Sequence, residues 1–290
     1  MGTLLAITNA AAGSASEELI ASAIEILAEH WTVHRAETSS PDDLASALDE
    51  HPDVDVVAAL GGDGSIHAVV QAMQDAGRLP DTAVALVPFG TGNDFARTLG
   101  LDPDPLVAAR AVAAGSIRPH DLVLSASGDV TVNAAHIGVG AEAAAKAAPL
   151  KKFLGPAAYA VGALLSLFTP SKRARVVIDE RRIEGRVAQV AVGNGRFVGG
   201  GGELLPEADP CDGLIDVAVS FSSTIPQRVG YVLHLRRGTH ASRSEVVYER
   251  AREVRVTGER MRCTNDGELT EPQAEHAWTI VPGGLPMLLP

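Results

Sequence analysis

The segment Val54-Asp55-Val56-Val57-Ala58-Ala59-Leu60-Gly61-Gly62-Asp63-Gly64-Ser65 decides the fold. Its first seven residues form a valine-rich apolar run, which suits a strand buried on both faces, as in a parallel sheet covered by helices. The run ends in glycines and leads into a helical pattern over Ile66 to Ala76. In an open α/β sheet, ligands bind beyond the carboxyl ends of the strands. Glycines there let backbone N–H groups approach a phosphate, and the following helix turns its positive N-terminus toward the anion. Asp63 repels phosphate. Its presence predicts either a metal–water contact or a hydrogen bond that shapes the loop. A tight strand-to-helix turn without a ligand is the plain alternative.

Working outward, Leu4 to Thr8 and Trp31 to Thr38 read as strands, and Glu17 to Glu29 as an amphipathic helix. Pro41-Asp42-Asp43 opens a further helix with proline and acids in its first turn. After the strand pattern Thr82 to Val87 comes a second glycine turn, Pro88-Phe89-Gly90-Thr91-Gly92-Asn93-Asp94-Phe95-Ala96-Arg97, and then a helix over Leu106 to Ala114. Gly90 and Gly92 permit close backbone approach, and Thr91 and Asn93 offer neutral donors. Asp94 is placed to cap the helix carrying Phe95. Strand and helix in alternation predict an α/β N-terminal domain with a parallel sheet, residues 1–122.

Near residue 120 the pattern changes. Short strand-like runs dominate: Asp121 to Ser125, Val130 to Ala135, Arg175 to Ile178, Arg186 to Gly193, Leu214 to Val219 and Glu253 to Thr257. They predict a mainly antiparallel β-sandwich domain, residues 123–283, with the tail of about 284–290 returning to the first domain. Helical stretches interrupt it around Pro156 to Phe168 and Gln227 to Arg236. Gly138-Val139-Gly140-Ala141-Glu142-Ala143 imitates a dinucleotide fingerprint but falls among antiparallel signals, so a turn is expected there. No Gly-Lys-Ser/Thr phosphate loop occurs. His30 and His34 straddle a helix-to-strand change and read as a chance pair rather than a zinc site. Asp121 could orient phosphates or serve the local turn.

The 290 residues are 46% hydrophobic and 21% charged, an ordinary globular balance. The formal net charge of −12 argues against nucleic-acid binding. Cys211 and Cys263 match no metal spacing and point to a reducing compartment. The N-terminus lacks a basic region of the secretory type, and Ala6 stands where a myristoylation signal needs Ser or Thr. The longest apolar stretch, Phe153 to Phe168, is broken by Gly155, Pro156 and Gly162 and is shorter than the roughly 18 residues of a membrane span. A cytoplasmic protein is expected. Lys151, Lys152, Lys172, Arg173, Arg175, Arg181, Arg182 and Arg186 form one basic region, and Arg228, Arg236, Arg237 and Arg243 another. They are solvated residues singly, yet together could hold the C-terminal half on anionic lipid, at about 1 kcal/mol per cation.

Gly61-Gly62-Asp63-Gly64-Ser65 together with Pro88-Phe89-Gly90-Thr91-Gly92-Asn93-Asp94-Phe95-Ala96-Arg97 resembles the diacylglycerol kinase catalytic family, especially its soluble bacterial lipid kinases. The likeness runs over nearly the whole chain. Thr8-Asn9-Ala10-Ala11-Ala12-Gly13 resembles the family's opening nucleotide loop, with Ala10 where proline is usual. Glu37-Thr38 resembles its second nucleotide contact. Asn133 to Gly140, Asn194-Gly195, Gly199-Gly200-Gly201, Pro206, Asp212-Gly213-Leu214 and Asn265-Asp266-Gly267-Glu268 continue the series. Ser65 replaces the family's threonine and keeps its hydroxyl.

The resemblance implies ATP in a crevice between the domains. Its phosphates would lie on Gly61, Gly62, Asp63, Gly64 and Ser65, helped by Asn9, Gly13, Thr38, Thr91 and Asn93. Glu268 would accept the proton of the lipid hydroxyl, with Asp266 supporting it and Asp63 in the catalytic set. A Mg²⁺ is implied on Asp212, with backbone oxygens near Asp209 and Leu214, although Cys211 stands where relatives often carry aspartate. The apolar residues from Leu150 to Phe168 would wall an acyl chain, or simply pack on the sandwich. Implied partners are a lipid acceptor at a membrane surface, contacted peripherally, and no nucleic acid; a homodimer is allowed. Two other readings stand beside this one: a small-molecule kinase of the NAD kinase type, and a lipid-binding module of the same fold without turnover.

Overall fold

The computed structural model describes residues 1–9, 17–147 and 167–290. The chain forms two units. Unit 1 comprises Met1–Leu122, Pro210–Asp212 and Val281–Pro290; unit 2 comprises Val123–Asp209 and Gly213–Ile280.

Unit 1 is built from β1 (Gly2–Asn9), α1 (Glu17–Ala28), β2 (Trp31–Thr38), α2 (Pro41–Glu50), β3 (Val56–Gly61), α3 (Asp63–Asp75), β4 (Ala83–Pro88), α4 (Asp94–Thr98), α5 (Pro105–Ala113) and the first part of β5 (Ser116–Ser125). Its strands run parallel in the order β2-β1-β3-β4. Every residue of β3 and β4 is buried, which the unbroken apolar runs require. The helices pack as pairs, α1 with α5 and α2 with α3. Local chemistry sets their starts. Ser40 Oγ accepts the Asp43 amide at 3.1 Å ahead of Pro41, and Asp104 accepts the Leu106 amide at 2.8 Å ahead of Pro105. Such caps are each worth about 1 kcal/mol. Helix α3 begins at Asp63, three residues before the expected Ile66, because Gly62 is its N-cap and the glycine turn is its first turn.

Unit 2 continues with β6 (Val130–Thr131), β7 (Ala134–Gly138), α6 (Val139–Ala147), β8 (Lys172–Ile178), β9 (Arg181–Val187), β10 (Gln189–Gly193), β11 (Phe197–Val198), β12 (Gly202–Glu203), β13 (Ile215–Ser220), α7 (Ile225–Leu235), β14 (Val246–Ala251), β15 (Glu253–Met261), β16 (Cys263–Asn265), β17 (Glu268–Leu269) and β18 (Gln273–Leu289). One antiparallel sheet runs β14-β13-β10-β7-β16-β17. In the other, β15 lies between β18 and β8, and β9 closes on β8. Alternation turns Ala174, Val176 and Ile178 of β8 inward and Arg173 and Arg175 outward. The inward residues meet Ile137, Val190 and Val217 of the first sheet in a common core, with Val254 and Trp278. Each fully buried side chain of this kind contributes about 1.5–3 kcal/mol.

Three elements differ from the sequence reading. The run Arg186 to Gly193 is divided between β9 and β10. Gly138 leads directly from β7 into α6 rather than into a turn: its φ is +93°, and a Cβ there would lie 2.3 Å from the Ala188 carbonyl oxygen. β7 pairs antiparallel on both sides, unlike the parallel strand of a dinucleotide fold. The expected tail is the end of the long strand β18, whose first residues pair with β15 in unit 2 and whose Met287 pairs in parallel with Val84 of β4 in unit 1. The helix expected around Pro156 to Phe168, and the lipid wall expected there, lie outside the described residues as far as residue 166.

Candidate active site

In unit 1 the strand register aligns four chain ends. Asn9 stands beside Thr38, Thr8 beside Leu60, and Gly61 beside Pro88. Both glycine turns therefore leave the same carboxyl edge as Asn9 and Thr38. Asn9 is exposed. Thr38 is buried, and its hydroxyl makes a long bond of 3.5 Å to the Thr8 carbonyl. That bond joins β2 to β1 at the edge where the nucleotide contact is expected. Gly13 lies outside the described residues.

The two turns touch backbone to backbone. A Cβ on Gly90 would lie 2.5 Å from Gly62 Cα, and one on Gly61 would lie 2.1 Å from Ser65 Oγ. The Phe89 amide donates to the Gly61 carbonyl at 3.0 Å. Asp63 Oδ1 accepts the Phe95 amide at 3.0 Å. Of the two roles open to Asp63, shaping the loop is thus the one observed, and Asp63 rather than Asp94 serves the Phe95 amide. Asp94 is buried and pairs with Arg97 at 3.4 Å. Asn93 adopts the left-handed conformation, φ +50°, and its Nδ2 donates to the Gly90 carbonyl at 2.8 Å. It is a loop-shaping residue before it is a phosphate donor. Thr91 is exposed, and around Gly64 a Cβ would meet nothing within 4 Å. Gly62 gives α3 no side-chain cap; the Ser65 amide donates to the Gly62 carbonyl at 2.9 Å, and the Asp63 and Gly64 amides are the ones left to an anion.

Asp121 is buried. Its amide donates to the Pro210 carbonyl at 2.7 Å, and its Oδ1 accepts the Gly283 amide at 2.8 Å. It joins three segments of unit 1. Cys211 Sγ faces the Pro119 carbonyl at 3.8 Å. Asp209 and Asp212 are exposed, and Leu214 is partly buried. Among the described residues no three His, Cys, Asp or Glu side chains gather as a metal cluster.

In unit 2 Asp266 and Gly267 form the two-residue turn between β16 and β17, with φ of +47° and +98°. Two successive positive φ values are what a tight hairpin of this hand requires. The Asp266 carboxylate accepts the amides of Val132 at 2.7 Å and of Asn133 and Ala134 at 2.9 Å each. Sequence spacing held no sign of this triple anchor, since its partners lie 132 to 134 residues away. The Asp266 carboxylate thereby shapes the turn. Glu268 begins β17 and is exposed. Cys263, in β16, is buried; burial first, and the Asp266 charge second, push its thiol up to about 12, so it is no nucleophile at neutral pH.

Residues 3–125 match the diacylglycerol kinase catalytic domain, and residues 133–289 match the YegS C-terminal NAD kinase beta sandwich-like domain. The chain belongs to the diacylglycerol kinase family of lipid kinases. A "Probable lipid kinase YegS-like" of Stenotrophomonas maltophilia is 33% identical over 261 residues, covering 85% of this chain and 82% of that one. The "Diacylglycerol kinase" of Bacillus subtilis is 31% identical, covering 74% and 71%. Two crystal structures from Bacillus anthracis share the fold. One, of a diacylglycerol kinase, has a TM-score of 0.75 at 19% identity and covers 100% of this chain and 97% of its own. The other has a TM-score of 0.83 at 21% identity and covers 100% and 98%. As a lipid kinase of this family the chain is a phosphotransferase, and the family implies ATP as the phosphate donor. Among its described residues no helix is long and apolar enough to cross a membrane.

Proposed function

We propose that this lipid kinase transfers the γ-phosphate of ATP to the hydroxyl of diacylglycerol or a similar lipid alcohol, giving phosphatidic acid or an analogue. The observation that carries the reading is the contact of Gly62 with Gly90, which brings two backbone turns and an uncapped helix start to one carboxyl edge. ATP phosphates would lie on the first amides of α3, with Asn9 and Thr91 as exposed neutral donors. Glu268 would take the proton of the lipid hydroxyl, because its carboxylate is exposed while that of Asp266 is committed to three amides. Such a base is worth about 10²–10⁴ in rate.

Mg²⁺ seeks oxygen ligands and few of them from protein. The exposed Asp212 carboxylate, with backbone oxygens near Asp209 and Leu214, would hold it, whereas Cys211 adds no carboxylate. When bound, Mg²⁺ neutralises charge on carboxylate or phosphate oxygens. The acceptor resides in a membrane, so the protein would work from the cytoplasm as a peripheral visitor.

The test is transfer from γ-labelled ATP to a panel of diacylglycerol, sphingosine, other lipid alcohols and NAD. Label on a lipid hydroxyl is expected. Label on NAD alone would replace this reading with a small-molecule kinase. Lipid binding with no transfer at saturating Mg²⁺-ATP would replace it with a binding module.

A further inference from the structure

Helix α7 exposes its apolar residues. Ile225, Val229, Val232 and Leu233 are all exposed, Ile225 at 48% and Leu233 at 58%. At 3.6 residues per turn these four share an arc of about 100°. Arg236, the C-cap, falls within the same arc, and Arg237 follows it in the chain. Two buried residues anchor the helix, Arg228 beside the stripe and Tyr231 opposite it. The Arg228 guanidinium donates to the carbonyls of Ser222, Leu167 and Thr169 and to Ser171 Oγ. Phe168, between the clasped residues Leu167 and Thr169, is 66% exposed. The result is a stripe of exposed apolar residues on a helix that Arg228 and Tyr231 anchor.

Single exposed apolar residues are ordinary, but a stripe at helical spacing marks a surface that something covers. Charge identifies the cover. From Phe221 to Ser244 there is no Asp or Glu and there are four arginines, in a chain whose net charge is −12. Arg228 is buried and Arg243 pairs with Glu245. Arg236 and Arg237 are exposed and make no ion pair among the described residues. An apolar stripe ending in two exposed cations fits a surface that is apolar inside and anionic outside. That is the headgroup boundary of an anionic bilayer, on which interfacial helices lie in the membrane plane.

We infer that the exposed stripe of α7 is the face by which this protein docks on anionic membrane. The inference rests on the lipid kinase reading above and gives it a place of contact. Docking by a short stripe and two cations is reversible, which suits an enzyme that must leave with or without its product.

The experiment uses the full chain in vesicle co-sedimentation, with phosphatidylglycerol–phosphatidylcholine vesicles and with phosphatidylcholine vesicles alone. Turnover is followed in parallel on dihexanoylglycerol dissolved below its micelle concentration. Val229→Glu combined with Leu233→Glu should weaken vesicle binding at least about tenfold. Arg236→Ala combined with Arg237→Ala should weaken binding to the anionic vesicles about 30-fold and leave binding to phosphatidylcholine unchanged. Both pairs should keep turnover of the dissolved acceptor. Unchanged vesicle affinity in both pairs would overturn the inference. So would unchanged affinity accompanied by an altered sedimentation coefficient, which would make the face a contact between copies, or by a lost melting temperature, which would mean the chain covers it itself. Failure of the unaltered protein to phosphorylate the dissolved acceptor would count against the lipid kinase reading alone, because vesicle binding is measured without turnover.

Discussion

Asp63 Oδ1 accepts the backbone amide of Phe95 at 3.0 Å, and this bond ties the first turn of α3 to the first turn of α4. A carboxylate at the start of a helix proposed to hold phosphate is electrostatically awkward. Its use as an anchor for the neighbouring loop explains why it is there. Asp63→Asn keeps an acceptor oxygen and should melt close to the parent. Asp63→Ala should lose about 1 kcal/mol, as other lost helix caps do. Displacing the second turn by as little as 1 Å should also cost about 10²-fold in kcat/KM. Thermal melts and ATP turnover of the two variants check both statements.

Gly90 and Gly64 sit in the same site with opposite freedom. Gly90→Ala forces a Cβ against Gly62 Cα, backbone on backbone, and should destabilise by about 1–3 kcal/mol while weakening ATP binding. Gly64→Ala meets open space and, at a helical position, should leave stability unchanged or slightly raised. Denaturant titrations give the stabilities, and ATP titrations show whether a methyl at residue 64 blocks phosphate.

Asp266 and Glu268 separate structure from chemistry two residues apart. Asp266→Ala strands three amides, each worth about 1–3 kcal/mol when buried without a partner. Its melting temperature should fall steeply. Glu268→Gln should melt like the parent while kcat falls by about 10²–10⁴. A Glu268→Gln variant with normal kcat would remove Glu268 from the mechanism.

His136 carries a pH dependence. Its ring is partly exposed by area, yet its Nδ1 is enclosed and meets no partner among the described residues. Burial lowers its pKa to about 4. Burial also lowers those of His240 and His276. A lowered folded-state pKa means that the unfolded chain takes up the proton first. The stability is therefore complete above the unfolded value near 6.5, drains away as pH falls toward about 4, and changes no further below that. For His136 the effect is about 2 kcal/mol, because part of the ring still meets screening solvent. Melting curves between these pH values should show a slope that His136→Phe reduces.

The sequence by itself determined the elements whose causes are local. An unbroken apolar run must be buried on both faces, and Ser40-Pro41 and Asp104-Pro105 start helices with their own side chains. Glycines after a strand carried the nucleotide-loop motif in the order a family match needs. Only the tertiary structure decided what depends on partners far along the chain. Asp63 bonds Phe95, 32 residues on, and Asp266 bonds amides more than 130 residues back. The long strand β18 is hidden in sequence by Pro282, Gly283, Gly284 and Pro286, and exists because β15 and β4 supply its pairing. The exposed side of α7 was likewise invisible, since periodicity marks an apolar stripe without saying which face the fold will cover. Spacing encodes what neighbours in the chain do to one another; a hydrogen bond or a burial between distant residues is set by the packed whole.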